Sequence, residues 1–149
     1  MEVQTINAKI LGPKEGRYLN VIGDQQWVKL RGEDTNGAFA MVEQLNQPGI
    51  SIPTHMHTRE DETFYIAEGK VQFTVDGRDV IAEPGTTIFL PKKTPHSFKV
   101  IGDKLARVIV LVSPAGCEKL FEELAELPPE QANISKAMEI SERYGVYFL

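Results

Sequence analysis

The chain has 149 residues, of which 42% are hydrophobic and 25% are charged, an ordinary balance for one soluble globular domain. Its formal net charge of −5 at pH 7 argues against a nucleic-acid partner and against an anionic membrane surface. A single cysteine excludes an internal disulfide, so an oxidising compartment is not required. The start shows no secretory signal and no apolar stretch has transmembrane length, so we predict a cytoplasmic protein.

Short apolar or alternating segments, separated by Gly, Pro, Asn and Asp, fill the chain between residues 17 and 112. The predicted strands lie at 17–22, 25–30, 38–45, 63–68, 71–75, 78–82, 86–91, 96–101 and 106–112. The pair Asp76-Gly77 predicts a tight hairpin turn of type I′. This rhythm without intervening helices is typical of an antiparallel sandwich or barrel rather than of βαβ units.

The C-terminal part, residues 114–149, has a different pattern. Leu120, Phe121 and Leu124 recur at helical spacing, and a second amphipathic segment begins with Asn133 as a candidate N-cap. The final VYFL is too apolar to remain in water and is expected to pack against the protein.

The chain therefore divides into a barrel of residues 1–113 and a helical extension of residues 114–149. We expect the extension to flank or cap the barrel, with a helical dimerisation surface as the alternative. Deleting it is expected to leave a barrel that still folds.

The histidines form the strongest chemical pattern. His55 and His57 are two of the three histidines and are separated by one residue. Side chains at i and i+2 of a strand share a face, so the pair presents two imidazoles side by side. Two imidazoles and a carboxylate facing one interior are ligands that a borderline divalent metal prefers. Glu62 is the candidate carboxylate because a predicted buried strand begins just after it, whereas Glu60 and Asp61 are expected to lie in a solvated turn.

These residues resemble the first motif of the cupin superfamily, which reads Gly, five residues, His-x-His, three or four residues, Glu, six residues, Gly. Gly49, His55, His57, Glu62 and Gly69 fit this spacing throughout.

The second cupin motif is matched in part. Gly85, Pro91 and His96 fit, whereas Lys93 replaces the usual glycine and Val100 the usual asparagine. The resemblance covers residues 40–113 and is to the small, quercetin dioxygenase-like cupins. It implies an all-β double-stranded β-helix, the cupin jelly-roll barrel.

The resemblance implies that His55, His57, Glu62 and His96 bind one divalent transition metal and leave coordination positions open. Imidazole and carboxylate ligands suit Fe, Mn, Ni, Cu, Co and Zn, and the sequence does not choose among them. A structural zinc site is not indicated, because the sole cysteine lies elsewhere in the sequence and no thiolate pair exists.

Counting by twos along the strands predicts a partly apolar pocket beside the metal. The predicted lining residues are Met41, Phe64, Ile66, Phe73, Phe98 and Val100. Such a lining favours a compact ligand that is apolar or aromatic in part, since a sugar phosphate would require several cationic side chains in the cavity.

Three functions are compatible with this pattern. The first is a mononuclear metal oxygenase in which Glu62, besides binding the metal, acts as a base toward a hydroxylated aromatic substrate. The second is a non-catalytic module in which the metal anchors a small ligand. The third is an isomerase or lyase that uses the metal as a Lewis acid. The family resemblance also implies a homodimer, with the strands around Trp27 available to pair across a two-fold axis.

Overall fold

The computed structural model describes residues 5–128 and 133–149. Within these ranges the chain forms eleven β-strands, two α-helices and a short 3-10 turn. The strands before the helices are β1 (Arg17–Val21), β2 (Asp24–Leu30), β3 (Ala40–Asn46), β4 (Ser51–His57), β5 (Asp61–Glu68), β6 (Lys70–Val75), β7 (Arg78–Ala82), β8 (Thr87–Leu90), β9 (His96–Ile101) and β10 (Ala106–Ser113). They are followed by α1 (Cys117–Ala125), α2 (Ile134–Arg143) and β11 (Val146–Phe148).

The strands form two antiparallel sheets. One has the order β1-β2-β3-β10-β5-β8 and the other the order β11-β4-β9-β6-β7. From β3 to β10 the chain passes repeatedly from one sheet to the other, and the inner faces meet in one core, where Phe64 of β5 contacts Phe73 of β6. The predicted all-β jelly-roll barrel with a C-terminal helical extension is thereby confirmed.

Alternation of side chains fixes which residues face the interior. In β10, Ala106, Val108, Val110 and Val112 are buried while the residues between them are more exposed. A strand whose faces alternate in this way buries one row of side chains against the opposite sheet.

The prediction that Met41 lines the pocket is wrong. On β3 the fully buried Ala40 and Val42 point into the core, so Met41 points to the outer face. There it lines an open groove of about 480 Å³ together with Lys29 and Arg107. The segment is apolar on both faces, which is why counting by twos did not distinguish them.

The two helices pack against the barrel. Leu120 and Leu124 of α1 and Ala137 and Ile140 of α2 are buried in the same core as the strands. The side chain of Asn133 accepts a hydrogen bond from the backbone N–H of Lys136 at 2.9 Å, which confirms the predicted N-cap of α2. Within the described part of the chain, no helix is long and apolar enough to cross a membrane.

The C-terminal residues form β11, which sequence reasoning placed against the protein without identifying it as a strand. β11 pairs with β4, with Val146 opposite His57 and Phe148 opposite His55. It therefore covers the edge of the strand that carries two of the histidines.

Gly69, between β5 and β6, has no room for a side chain. Its φ is +79°, and a Cβ atom there would lie 2.6 Å from the carbonyl oxygen of Leu105 and 2.7 Å from Cα of Ala106. We expect Gly69→Ala to lower the free energy of unfolding by about 2–3 kcal/mol, since it combines a left-handed backbone with a clash against backbone atoms.

Gly77→Ala is the matched control for this prediction. Gly77 has a similar φ of +78°, but no atom of the described residues lies within 4 Å of the added Cβ, so the cost of Gly77→Ala is limited to backbone conformation, about 1 kcal/mol. Urea unfolding of both variants measures the difference. Equal losses would show that the contacts around Gly69 impose no penalty.

Candidate metal centre

Three strands bring the four predicted ligands together. His55 and His57 lie on the inner face of β4, and His96, at the start of β9, is paired with His55 in the same sheet. Glu62 reaches them from β5 of the opposite sheet. All four side chains are buried, and the three histidines each offer a ring nitrogen within 4.8 Å of the others. The structure thus collects the predicted residues at one interior point.

Backbone carbonyls orient two of the rings. Nδ1 of His55 lies 2.8 Å from the oxygen of Pro53, and Nδ1 of His96 lies 2.9 Å from the oxygen of Thr94. A carbonyl only accepts, so each Nδ1 carries the proton and each Nε2 presents a lone pair. Nε2 of His96 is 3.3 Å from Oε2 of Glu62, and both atoms are buried without a hydrogen-bond partner among the described residues.

The electrostatic surroundings keep His55 and Glu62 in protonation states that can donate electron pairs to a metal ion. Burial, together with neighbouring His96, lowers the pKa of His55 to about 4, so that ring is neutral at pH 7. Burial alone would raise the pKa of Glu62, but the charge and hydrogen bond of His57 hold it well below its ordinary value. A neutral imidazole and an ionised carboxylate are the protonation states that metal ligands need.

His57 is the exception, because both of its ring nitrogens face carboxylates. Nε2 lies 2.8 Å from Oε1 of Glu62, and Nδ1 lies 2.6 Å from Oε1 of Glu60. Burial alone would lower its pKa, but the negative charge of Glu62 raises it well above the ordinary value. A proton therefore holds His57 to Glu62 in the metal-free protein, and a metal ion would displace it.

The unpartnered lone pairs of Glu62 and His96 fit a divalent cation. Two buried acceptors that face each other at 3.3 Å leave a cost of desolvation, which a metal ion bound by both would offset. The donor set is nitrogen and oxygen, which suits first-row transition metals.

Comparison with known proteins identifies the family. Residues 42–112 match the cupin domain family. The chain is a small cupin. Quercetin 2,3-dioxygenase of Bacillus subtilis (strain 168) is 32% identical over 118 residues, which are 78% of this chain and 34% of that protein. The matches to the curated relatives span from 34% to 60% of their own length.

Solved structures show the same fold. KdgF from Halomonas sp. has a TM-score of 0.67 and 20% identity, with 76% of this chain and 99% of that chain covered. Pac13 of Streptomyces, a nucleoside dehydratase, has a TM-score of 0.62 and 18% identity, with 76% and 88% covered. At these identities the likeness concerns the fold and not the reaction.

The expectation that Glu60 of this cupin lies in a solvated turn is wrong. Its side chain is buried against Nδ1 of His57, and only Asp61, which accepts a hydrogen bond from the backbone N–H of Lys92, remains half-exposed. The turn after β4 folds back under His57, which a run of three acids in sequence does not reveal. A carboxylate behind a histidine fixes the orientation of the ring and raises its basicity.

We expect Glu60→Gln to weaken metal affinity by about 10–100-fold, because the amide no longer holds His57 through a charged hydrogen bond. Titration of the metal-free variant with Co²⁺ against a competing chelator measures the change. Asp61→Asn is the matched control, since the Asp61 side chain accepts its hydrogen bond from a backbone amide and not from a histidine. An affinity for Glu60→Gln equal to that of the control would contradict the role of Glu60.

Cys117 also lies closer to the candidate metal centre than its position in the sequence suggests. Its Sγ is 3.8 Å from Nδ1 of His57, because α1 begins beside β4. Burial raises the pKa of the thiol to about 12, so it is a neutral group at pH 7. His57, Glu62 and Cys117 form a second group of potential ligands, which sequence spacing could not indicate.

A cavity of about 90 Å³ adjoins His55, His57 and Glu62. Of the predicted pocket residues, Phe64 and Phe98 line it. Phe73 and Val100 lie deeper in the barrel, in a region too tightly packed to admit a water molecule, and Ile66 is a fully buried core residue. The prediction that these three line the pocket is therefore wrong, because the aromatic side chains of Phe64 and Phe98 close the barrel above them.

Two groups of lining residues escaped sequence reasoning. The first is apolar and comes from the C-terminal extension: Leu120, Phe121, Leu124, Val146 and Phe148. Phe148 lies with its ring centroid 5.4 Å from that of His55. The second is polar and consists of Asp24, Gln26 and Gln44 on β2 and β3. Their spacing at alternate strand positions was visible, but polar rows on a strand usually face water.

Proposed function

We propose that this cupin is a metal-dependent oxygenase acting on a small hydroxylated aromatic molecule. The observation that carries the proposal is the buried pair of unpartnered acceptors, Oε2 of Glu62 and Nε2 of His96, beside a cavity that Glu62 lines together with Phe64 and Phe98. His55, His57, Glu62 and His96 would hold the metal. When bound, a redox-active metal would supply Lewis acidity and electron exchange with oxygen.

Glu62 is the residue best placed to move a proton. It is ionised, one of its oxygens contacts His57 and the other has no hydrogen-bond partner among the described residues. A hydroxyl group entering the cavity can donate its proton to that free oxygen. His57 can donate a hydrogen bond to the carboxylate of Glu62 before the transfer and keep that hydrogen bond once the carboxyl group is protonated.

The apolar walls would orient the substrate and exclude water. Phe64 and Phe98 belong to the barrel, whereas Phe148 and Leu120 come from the C-terminal extension. An aromatic ring held between such side chains gains stacking and apolar contact. The described residues that line the cavity include neither lysine nor arginine, which supports an uncharged substrate over a phosphorylated one.

Similarity adds support. The match to quercetin 2,3-dioxygenase of B. subtilis includes 78% of this chain and 34% of that protein, and it supports an oxygenase reaction over the alternatives.

A lyase, isomerase or dehydratase is the second candidate. The observation that favours it is Asp24, a second carboxyl group lining the same cavity, whose pKa burial raises to about 6. A carboxyl near its pKa at neutral pH suits acid and base steps that need no oxygen. The similarity in fold to a nucleoside dehydratase is compatible with this alternative.

Oxygen consumption separates the candidates. The chain, reconstituted separately with Fe²⁺, Mn²⁺, Co²⁺, Ni²⁺ and Zn²⁺, is incubated with a flavonol and with a catechol in an oxygen electrode. We expect uptake with a redox-active metal and incorporation of labelled oxygen into the product, both lost in Glu62→Gln. Product formed equally without oxygen would favour the lyase or isomerase. Ligand bound but unchanged would indicate a binding module.

A further inference from the structure

A buried polar cluster lies on the wall of the cavity formed by β2 and β3. Asp24, Gln26, Gln44 and Asn46 are all at least nine-tenths buried. Asp24 accepts hydrogen bonds from Nε2 of Gln26 at 2.8 Å, from Nε2 of Gln44 at 3.0 Å and from Nδ2 of Asn46 at 2.5 Å. The carboxylate thus anchors three amide side chains in fixed orientations.

The cluster is not explained by stability. Burial of Asp24 among neutral amides raises its pKa, so ionisation at neutral pH works against the folded state. A row of aliphatic side chains would fill the same wall without this cost, as Val28 and Val42 do at the next inward position of these strands.

One atom of the cluster is left without a partner. Nε2 of Gln26 donates to Asp24, which prevents the amide from turning over, because Oε1 would then face the carboxylate. Oε1 of Gln26 is consequently a fixed acceptor, and it is buried with no hydrogen-bond partner among the described residues. Such an atom favours a donor supplied from the cavity that Gln26 lines.

The strand register places this acceptor away from the metal ligands. Gln26 is opposite Gln44, which is opposite Val108, whereas Glu62 is opposite Val112, two inward positions further along β10. Phe64 occupies the inward position between, opposite Val110. From one end to the other, the wall therefore presents a carboxylate, an aromatic ring and an amide oxygen.

We propose that Gln26, positioned by Asp24, is a specificity-determining residue that accepts a hydrogen bond from a hydroxyl or N–H group at the far end of the substrate. The inference rests on the proposed function and narrows its substrate class to molecules with polar groups at both ends and an apolar middle. Gln44 and Asn46 act through Asp24 and are positioning residues.

Two catechols of nearly equal shape test the inference. In 4-(hydroxymethyl)catechol the substituent ends in a hydroxyl group, and in 4-ethylcatechol it ends in a methyl group. Both are titrated calorimetrically into the full chain loaded with Zn²⁺ under argon. We expect the wild type to bind the hydroxymethyl compound about tenfold or more tightly, since the ethyl compound leaves Oε1 unpaired.

Gln26→Met removes the acceptor while nearly keeping the size, and should abolish this preference. Gln25→Met, at an exposed position of the same strand, is the control and should retain it. Equal binding of both catechols by the wild type overturns the inference and leaves the metal-centred function standing. Binding of neither overturns the hydroxylated aromatic substrate itself, and this inference with it.

A second measurement separates recognition from packing. In the metal-free chain, Gln26→Met is expected to unfold in urea at a midpoint close to that of the wild type, because the lost hydrogen bond to Asp24 is offset by removal of the unpaired acceptor Oε1. A midpoint lowered as far as that of a core truncation would show that the amide serves the fold, and would overturn the inference.

Discussion

Replacing both His55 and His96 with alanine is expected to abolish stoichiometric metal binding. The variant keeps His57, Glu62 and Cys117, but a proton holds His57 to Glu62 across 2.8 Å and burial keeps the Cys117 thiol neutral, so Glu62 is the one member of this group that is already deprotonated. Loss of two of the four ligands should reduce affinity by more than 100-fold, since even a change behind a single ligand costs about 10–100-fold. Elemental analysis after dialysis against a weak chelator measures the bound metal.

Ser97→Ala is the control for this variant, because Ser97 adjoins His96 on β9 but points to the opposite face. It should retain the wild-type stoichiometry. Retention of that stoichiometry by the double histidine variant would show that the metal is bound elsewhere, and the proposed ligand set would have to be abandoned.

Removing residues 114–149 is expected to yield an insoluble product. The sequence alone had predicted that the barrel would still fold without them. Leu120, Leu124, Ile140 and Val146 are buried in the same core as the strands. At about 1.5–3 kcal/mol each, their burial contributes roughly as much as the net stability of an ordinary domain. The truncation also exposes the edge of β4, an unpaired strand that favours aggregation.

Leu120→Ala gives a graded version of this test. We expect it to lower the free energy of unfolding by about 2–5 kcal/mol, whereas Ile134→Ala, at a half-exposed position of the same extension, should cost under 1 kcal/mol. Soluble expression and urea denaturation are the measurements. A truncated chain that remains soluble with a cooperative transition would mean that the barrel is independent of the extension.

Local sequence pattern was sufficient to predict the features that depend on neighbouring residues. The alternation of β10 and the Asp76-Gly77 hairpin follow from steric rules that involve only neighbouring residues, and the structure shows both. The spacing of His55, His57 and Glu62 likewise predicted which side chains meet, because strand geometry alone puts the two histidines on one face.

Features that depend on distant segments could not be predicted in this way. Burial of Glu60 requires the return of the chain beneath His57, and the position of Cys117 depends on where α1 begins relative to β4. The pairing of β11 with β4 joins residues about ninety positions apart. No local preference encodes such pairings.

The internal polar cluster shows a different limit. Asp24 and Gln26 lie two residues apart on β2 and therefore share one face of the strand. A polar row of this kind is usually predicted to face solvent, and only the packed barrel shows that this row faces inward. Polar side chains buried in this way are expected at a ligand-binding site, where a chain gives up some stability in order to bind.

Metal content is the decisive property of the proposed site. Tag-free protein, purified aerobically without added metal, is examined by inductively coupled plasma mass spectrometry before and after reconstitution. We expect close to one transition-metal ion per chain, bound natively or taken up on reconstitution. No bound metal in either sample would contradict it, and would leave the histidines and Glu62 as a proton-linked cluster in a binding protein.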